Sequence, residues 1–498
     1  MITEIRSEAD VDAYEQQIQA PEAGGPPDLL KQHHNDAGNA ERLIAIYGKD
    51  LKYCHAFKKW LVWDGSRWAV DDIGQAVLLA KKAMLAFLNQ AVENRSEAAD
   101  RFARASLDAR RLGSLLTLAQ CELPVRPGEL DTDRFALNFK NGTVDLRTGE
   151  LREHERSDFI TKLVHYDYAP AAECPRWRQF LFEVMGGGPD AEQDRPERLV
   201  DYLQRALGYS MTGVTSEKAV FILFGEGDNG KSTMLTTFRQ LVEEYSQLLQ
   251  VDTLMVRQES NNTQADLADL RGARFVQTSE TEQGQRLAQG KLKRITTGMG
   301  TIKATRKYEN PIEFPETHKL WIDTNRKPTI SDVDDKATLN RLHPIPFTVT
   351  IPKERLDKEL PEKLMKEAEG ILAWCVQGSN LWRTEGLKKP AEVEAAKDKW
   401  REDMDAFQEF VDECCVTDDG LEAGAKALYN DYKHWTVEGG DQKPMSIKAF
   451  ATKLQDKGFA KKHIQSGHVY MGLRLRSQDE RKPEGTEGIS SKMISTRV

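Results

Sequence analysis

FILFGEGDNGKSTMLTTF, residues 221–238, passes from an apolar run through a glycine-rich turn into a stretch of helical spacing. The run AVFILF at 219–224 suits a strand buried on both faces of a parallel sheet. Gly225, Gly230, Lys231 and Ser232 stand at the G-x-x-x-x-G-K-[ST] spacing of a phosphate-binding loop. The chemistry dictates these residue types. Glycines let backbone N–H groups turn inward around an anion. The helix that follows presents the positive end of its dipole to the same charge. Lys231 is then the cation for the β and γ phosphates, and Ser232 offers a hydroxyl to magnesium. The strand–loop–helix order predicts a site for ATP with Mg2+, formed by Gly225, Gly227, Asp228, Asn229, Gly230, Lys231, Ser232 and Thr233. It does not say what turnover would drive.

The bulk numbers narrow the class. At 498 residues the length suggests about three domains. Charged residues are 30% of the chain and mean hydropathy is -0.60, as for a soluble protein. No apolar run approaches the roughly 18 residues of a membrane span, and the polar start MITEIRSEADVDAYEQQ is no signal peptide. The six cysteines, at 54, 121, 174, 375, 414 and 415, form no C-x-x-C pair, which fits a reducing cytoplasm. The net charge of -9 hides local excesses of cation. Residues 286–310 carry Arg286, Lys291, Lys293, Arg294, Lys303, Arg306 and Lys307 against Glu309, and 453–476 hold only Asp456 as an acid. Local clusters, not the sum, set affinity for a polyphosphate backbone.

The fold class expected is α/β, with a phosphate-loop core between other modules. Residues 1–38 read as a loose leader rich in Pro, Gly and polar groups. Residues 39–174 read as an α+β domain, with turns at Asp64-Gly65, Asn141-Gly142 and Thr148-Gly149 joining short strands. A helical collar or linker follows at 175–215, then the core at 216–350 and a helical connector at 351–400. Residues 401–478 form a compact unit of helices and a basic hairpin, and 479–498 a disordered tail. In that unit Ser446 caps a helix stopped by Gly458, with Ile447, Phe450 and Leu454 on one face. The order suggests a winged-helix module, serving either duplex DNA or protein docking. Asp131 and Asp133 form a D-x-D pair, read as a loop and not as a two-metal polymerase site.

Downstream of the loop, RFVQTSE (274–280) is a candidate strand ending in Ser279-Glu280, KLWIDTN (319–325) ends in Asn325, and DKATLNRLHPIPF (335–347) contains Arg341. The series GEGDNGKST, FVQTSETE, LKRITTG, KLWIDTNRKP and NRLHPIPF resembles the superfamily III helicases, and within them the phage and plasmid primase-helicase group that includes the poxvirus primase-helicase. NDAGNAERLIAIYG, WLVWDGSRW, LNFKNGTVDLRTGEL and CPRWRQFL resemble the same group, so the likeness covers about 35–476.

The resemblance implies an AAA+-type core in a ring, commonly a hexamer, with ATP sites at subunit interfaces. By position, Lys231 and Ser232 take the phosphate and magnesium roles and Glu280 is the catalytic carboxylate, also near the metal. Asn325 senses the γ-phosphate, and Arg341 is the arginine finger for a neighbour's ATP, a role for which the nearby Arg326 competes. A hairpin in the ring channel carries Lys303, Arg306, Lys307 and Tyr308, cations and an aromatic suited to tracking single-stranded DNA. Two departures from the family pattern stand out. Ser279 precedes Glu280 where two adjacent acids are usual, and TTGMG places Gly300 where an Asp is usual.

The function implied is an ATP-dependent DNA helicase of phage, plasmid or prophage replication, acting on single-stranded and forked DNA in a bacterial cytoplasm. It is expected to lack a primase domain and to work with a separate primase or polymerase. The alternative is an initiator that binds duplex origin DNA and uses ATP as an assembly switch.

Overall fold

The computed structural model describes residues 27–187, 194–255, 263–279, 286–298, 300–305, 311–325, 328–330, 335–352, 354, 356–403, 406–438, 444, 446–464, 467–477 and 480. The chain divides into two compact units, 1–397 and 398–498.

The first unit is built on a five-stranded sheet of β1 (Val220–Phe224), β2 (Ser246–Leu248), β3 (Phe275–Ser279), β4 (Lys319–Thr324) and β5 (Leu342–Pro346). Its order is β5-β1-β4-β3-β2, with every pair parallel. All six residues of β4 are buried, as a central strand covered on both faces requires. Trp321 stacks on Phe221 across the β1–β4 pair, with centroids 4.3 Å apart, and meets Phe275 of β3 at 5.8 Å. Each such aromatic pair adds about 0.5–1.5 kcal/mol beyond its buried area. The indole N–H of Trp321 donates to Ser210 Oγ at 2.9 Å, so the ring's own polar group is satisfied.

Helices Arg195–Met211 and Ala368–Glu385 pack directly on each other and into the same apolar core as the sheet. Their backbones touch through two glycines. A Cβ on Gly208 would lie 2.2 Å from Ser379 N, and one on Gly378 2.1 Å from Gln204 O. A helix from the segment expected as a collar at 175–215 and one from the connector expected at 351–400 thus share one layer of the core. Their apolar faces meet each other, which spacing along either segment alone does not reveal.

Ahead of the core stand helices Asp36–Tyr47, Gln75–Glu93, Glu97–Ser106 and Ala109–Glu122 and two antiparallel sheets of three short strands. The expected turns sit where Asp64, Asn141 and Gly149 lie; Asp64 Oδ1 accepts from the N–H groups of Ser66 and Arg67. The leader expected to run to residue 38 is corrected from residue 27 on. Leu29 is buried, and Arg42 donates to the carbonyls of Leu29, Gln32 and His33 at 2.7–2.9 Å. Residues 1–26 and 481–498 lie outside the described residues. Asp131 and Asp133 brace loops, as expected: Asp131 accepts from the N–H and hydroxyl of Thr161, and Asp133 pairs with Arg147 at 3.0 Å.

The second unit runs helix Ala406–Cys414, strand Cys415–Gly424, helix Ala425–Glu438, helix Ile447–Asp456, then hairpin strands Lys461–Ile464 and Gly467–Leu475. Its antiparallel sheet places Gly467–Leu475 between the other two strands. Phe450 and Leu454 enter its core, and Gly458 ends the helix at φ +92. Ile447 does not join them: it is 59% exposed at the first residue of the helix, where the chain has not yet turned onto the core. No described helix is long and apolar enough to cross a membrane.

Candidate active site

The phosphate loop leaves the C-terminal end of β1, between β4 and β5, where the strand order reverses and α/β sheets leave a crevice for ligands. Two of its glycines are obligatory. Gly225 sits at φ +154 with room for a Cβ denied by Phe347 O at 2.1 Å; Gly230 sits at φ +87 against Val184 and Phe180. Asn229 Nδ2 donates to Phe347 O at 3.1 Å, which pins the loop to the end of β5. Helix Lys231–Val242 follows, its apolar side formed by Met234, Leu235, Phe238 and Leu241.

Lys231, only 3% exposed, donates from Nζ to Gly225 O at 2.7 Å, Glu226 O at 3.1 Å, Asn229 Oδ1 at 2.9 Å and Asn325 Oδ1 at 3.2 Å. All four acceptors are neutral, and a phosphate oxygen is a stronger one. Desolvation lowers the lysine pKa, opposed by the charge of Asp323. Lys231, Asn229 and Asn325 therefore meet at one point, although Lys231 and Asn325 are 94 residues apart.

The sequence reading missed Asp323. Its Oδ2, on the strand that ends just before Asn325, accepts the Ser232 hydroxyl proton at 2.5 Å. The signal was present: an acid inside the apolar run KLWIDT must find a partner once that strand is buried. No group of three or more His, Cys, Asp or Glu among the described residues is placed to hold a metal. The hydroxyl of Ser232 and the carboxylate of Asp323 are hard oxygen donors, and magnesium takes one or two of these beside substrate phosphates. The donor set fits that ion. Glu280 lies outside the described residues, as do Arg306, Lys307, Tyr308 and Arg326.

The other end of the sheet holds the remaining candidates. Arg341 immediately precedes β5, and its carbonyl accepts from Val220 N at the start of β1. At about 3.3 Å per residue, the length of β1 puts it roughly 15 Å from the phosphate loop of its own chain. Arg341 Nε donates to Thr296 O and Oγ1 at 3.1 and 3.2 Å, and the guanidinium also bonds Ala337 O.

Thr296 follows helix Gln289–Ile295 and leads into an antiparallel hairpin, Thr301–Ala304 with Ile312–Pro315, that returns to β4. Lys303 stands on its exposed face. The base is held by buried Glu316, whose Oε2 accepts from Thr297 N at 3.0 Å, Thr297 Oγ1 at 2.7 Å and Gly298 N at 3.3 Å. Burial holds that carboxyl above its ordinary value despite these bonds. One cation of the basic stretch is spoken for: Lys293 pairs with Asp335 at 2.7 Å, which holds that carboxyl at about 2.

Three family models match the chain in succession: D5 N terminal like over 40–186, a family of unknown function (DUF5906) over 223–341, and Poxvirus D5 protein-like over 402–474. The two D5 models match its first and last thirds, so in those parts the chain is similar to the D5 family. It is 27% identical over 326 residues to a protein of Acanthamoeba polyphaga mimivirus named as helicase L207/L206, over 61% of this chain and 33% of that one. It is 24% identical over 359 residues to one of Invertebrate iridescent virus 6 named as helicase 184R, over 64% and 36%. The chain thus spans about a third of the length of the curated relatives it matches. A solved structure, the A form apo structure of the NrS-1 C-terminal region, matches 88% of this chain and 98% of its own at 13% identity, with a TM-score of 0.45.

Proposed function

We propose that this chain is an ATP-driven DNA helicase of replication with an AAA+-type core, working as a ring, commonly a hexamer, on single-stranded and forked DNA. The observation that carries the reading is the separation of Arg341 from the phosphate loop of its own chain. A strand's length apart, the two act on one nucleotide only when Arg341 comes from a neighbouring copy, which a closed ring supplies at every site. Lys231 and the loop N–H groups bind the phosphates, Asn325 and Glu280 orient the attacking water, and Glu280 takes its proton. Ser232 would hold magnesium, which would supply neutralising charge to the phosphates. Arg341 stabilises the charge that develops as the γ-phosphoryl leaves. Lys303 of the hairpin, together with Arg306, Lys307 and Tyr308, grips the strand through its phosphates and bases.

The relatives named as helicases, all of them viral, and the match to the poxvirus family support a replication role. A virus, phage or other mobile element, with the protein in the host cytoplasm beside a separate primase or polymerase, is the setting that fits. The test is Lys231→Ala on forked DNA, imaged and assayed with ATP and a non-hydrolysable analogue. Turnover and strand separation should both vanish, and strand separation that survives would reject the mechanism.

A second reading has one observation in its favour. The second unit has the helix–strand–helix–helix–strand–strand order of a winged helix and exposes Lys461, Lys462 and His463 on its hairpin. A duplex-binding initiator would use that surface. Tight sequence-specific duplex binding, with ATP turnover indifferent to single-stranded DNA, would favour it.

A further inference from the structure

The departure at position 279 is answered one strand away. Asp323 of β4 registers with Ser279 of β3 on one side and with Leu223 of β1 on the other. Neighbouring strands lie about 4.8 Å apart, so a carboxylate moved from 279 to 323 stands one strand closer to the phosphate loop. It is 6% exposed, and its Oδ2 lies 2.5 Å from Ser232 Oγ. A serine hydroxyl has one proton and two lone pairs. With the proton committed to Asp323, the lone pairs are the part of Ser232 left to face a cation.

Resting on the nucleotide-site reading above, we propose that Asp323 is the positioning carboxylate of the magnesium site. From β4 it orients the Ser232 hydroxyl and the waters of the ion, a task that Ser279 has no charge to perform from β3. Asp323 acts through Ser232 and is not placed among the groups that touch the nucleotide. The competing role is a structural pin between β4 and the phosphate-loop helix. The two differ in what they ask of Asp323, since a pin needs an acceptor and an ion site needs the charge.

The experiment compares the full chain with Asp323→Asn, which keeps an acceptor and removes the charge. Affinity for a fluorescent non-hydrolysable ATP analogue is measured in EDTA, and Mn2+ binding to the analogue complex by electron paramagnetic resonance. Asp323→Asn should bind the analogue in EDTA within about twofold of wild type while losing about ten- to hundredfold in Mn2+ affinity. Adding Ser279→Asp to Asp323→Asn should restore much of that loss, because the charge returns to the adjacent register position. Mn2+ affinity equal to wild type in Asp323→Asn overturns the proposal, as does an equal loss of analogue affinity with and without metal. If Asp323→Asn does not fold, Asp323→Glu carries the test, and it must retain Mn2+ binding that Ser232→Ala loses. A wild-type chain that binds no nucleotide at all overturns the nucleotide-site reading itself, a result distinct from any of these.

Discussion

At the N-terminal end of the five-stranded sheet, charged side chains are buried and engaged; at the C-terminal end they are gathered around an open loop. Arg274, just before β3, donates to Met211 O and Ala136 O at 2.8 Å, and Lys319 of β4 bonds the carbonyls of Thr212, Val214 and Thr317. Met211 closes helix Arg195–Met211, so the two cations satisfy carbonyls at the negative end of a helix dipole. Desolvation lowers the pKa of both. Glu244, just beyond the phosphate-loop helix, ties the same end to the preceding domain by accepting from Leu163 N, His165 and Arg67. At the C-terminal end Lys231 is held by neutral oxygens of Gly225, Glu226, Asn229 and Asn325, weaker acceptors than a phosphate oxygen. One end is a braced platform for the hairpin and Arg341; the other holds its lysine by bonds to neutral oxygens alone.

The largest effect that separates the two ends is expected from Arg341→Ala. Turnover of ATP should fall about 10³-fold or more, with affinity for a non-hydrolysable analogue nearly unchanged. Steady-state turnover and analogue titration check it. Loss of analogue binding as deep as that of Lys231→Ala would erase the division between the ends. Glu316→Ala comes next. It strands the N–H groups of Thr297 and Gly298 and should cost about 1–3 kcal/mol of stability in urea melts. Its turnover without DNA should stay near wild type while stimulation by single-stranded DNA drops.

Lys303→Ala sharpens the comparison on the DNA side alone. The slope of log affinity for single-stranded DNA against log salt should shrink by about 0.7, equally for every sequence tested.

The smallest effect concerns pH. The hydrogen bond to Glu244 raises the pKa of His165 above its ordinary 6.5, so its stabilisation is full below 6.5 and is lost as pH rises through the folded value. Glu244 is desolvated, which raises its pKa, yet His165 and Arg67 hold it below its ordinary 4.5. Its contribution is full above 4.5 and is lost as pH falls through the folded value. The pair therefore supports the braced end most between about 4.5 and 6.5. His165 is half exposed, so His165→Gln should cost only a few tenths of a kcal/mol there. Urea midpoints of both chains across pH 4–9 test the window.

Much of the local architecture was legible because it is written in short-range pattern. The glycines at 225 and 230 and the turns at Asp64, Asn141 and Gly149 follow from steric limits that act over a few residues, whereas the hairpin after TTG was expected from the family resemblance alone. Ile447 shows where that reasoning stops: helical spacing put it on the apolar face, but the first turn lies beyond the core. The leader fails for a similar reason. Its polar composition says nothing of Arg42, which recruits three of its carbonyls from a helix further on.

By itself, then, the sequence determined the glycine-rich loop, the order of the motifs and the residue types that stand in them. Only the tertiary structure decided which of them meet. Strand crossing brings Asp323 to Ser232 over 91 residues and sets Arg341 at the far end from Lys231. Spacing along a chain fixes which face of an element a side chain takes, whereas neighbours across a sheet depend on the order in which strands are laid down. That order is settled by the packing of the whole core.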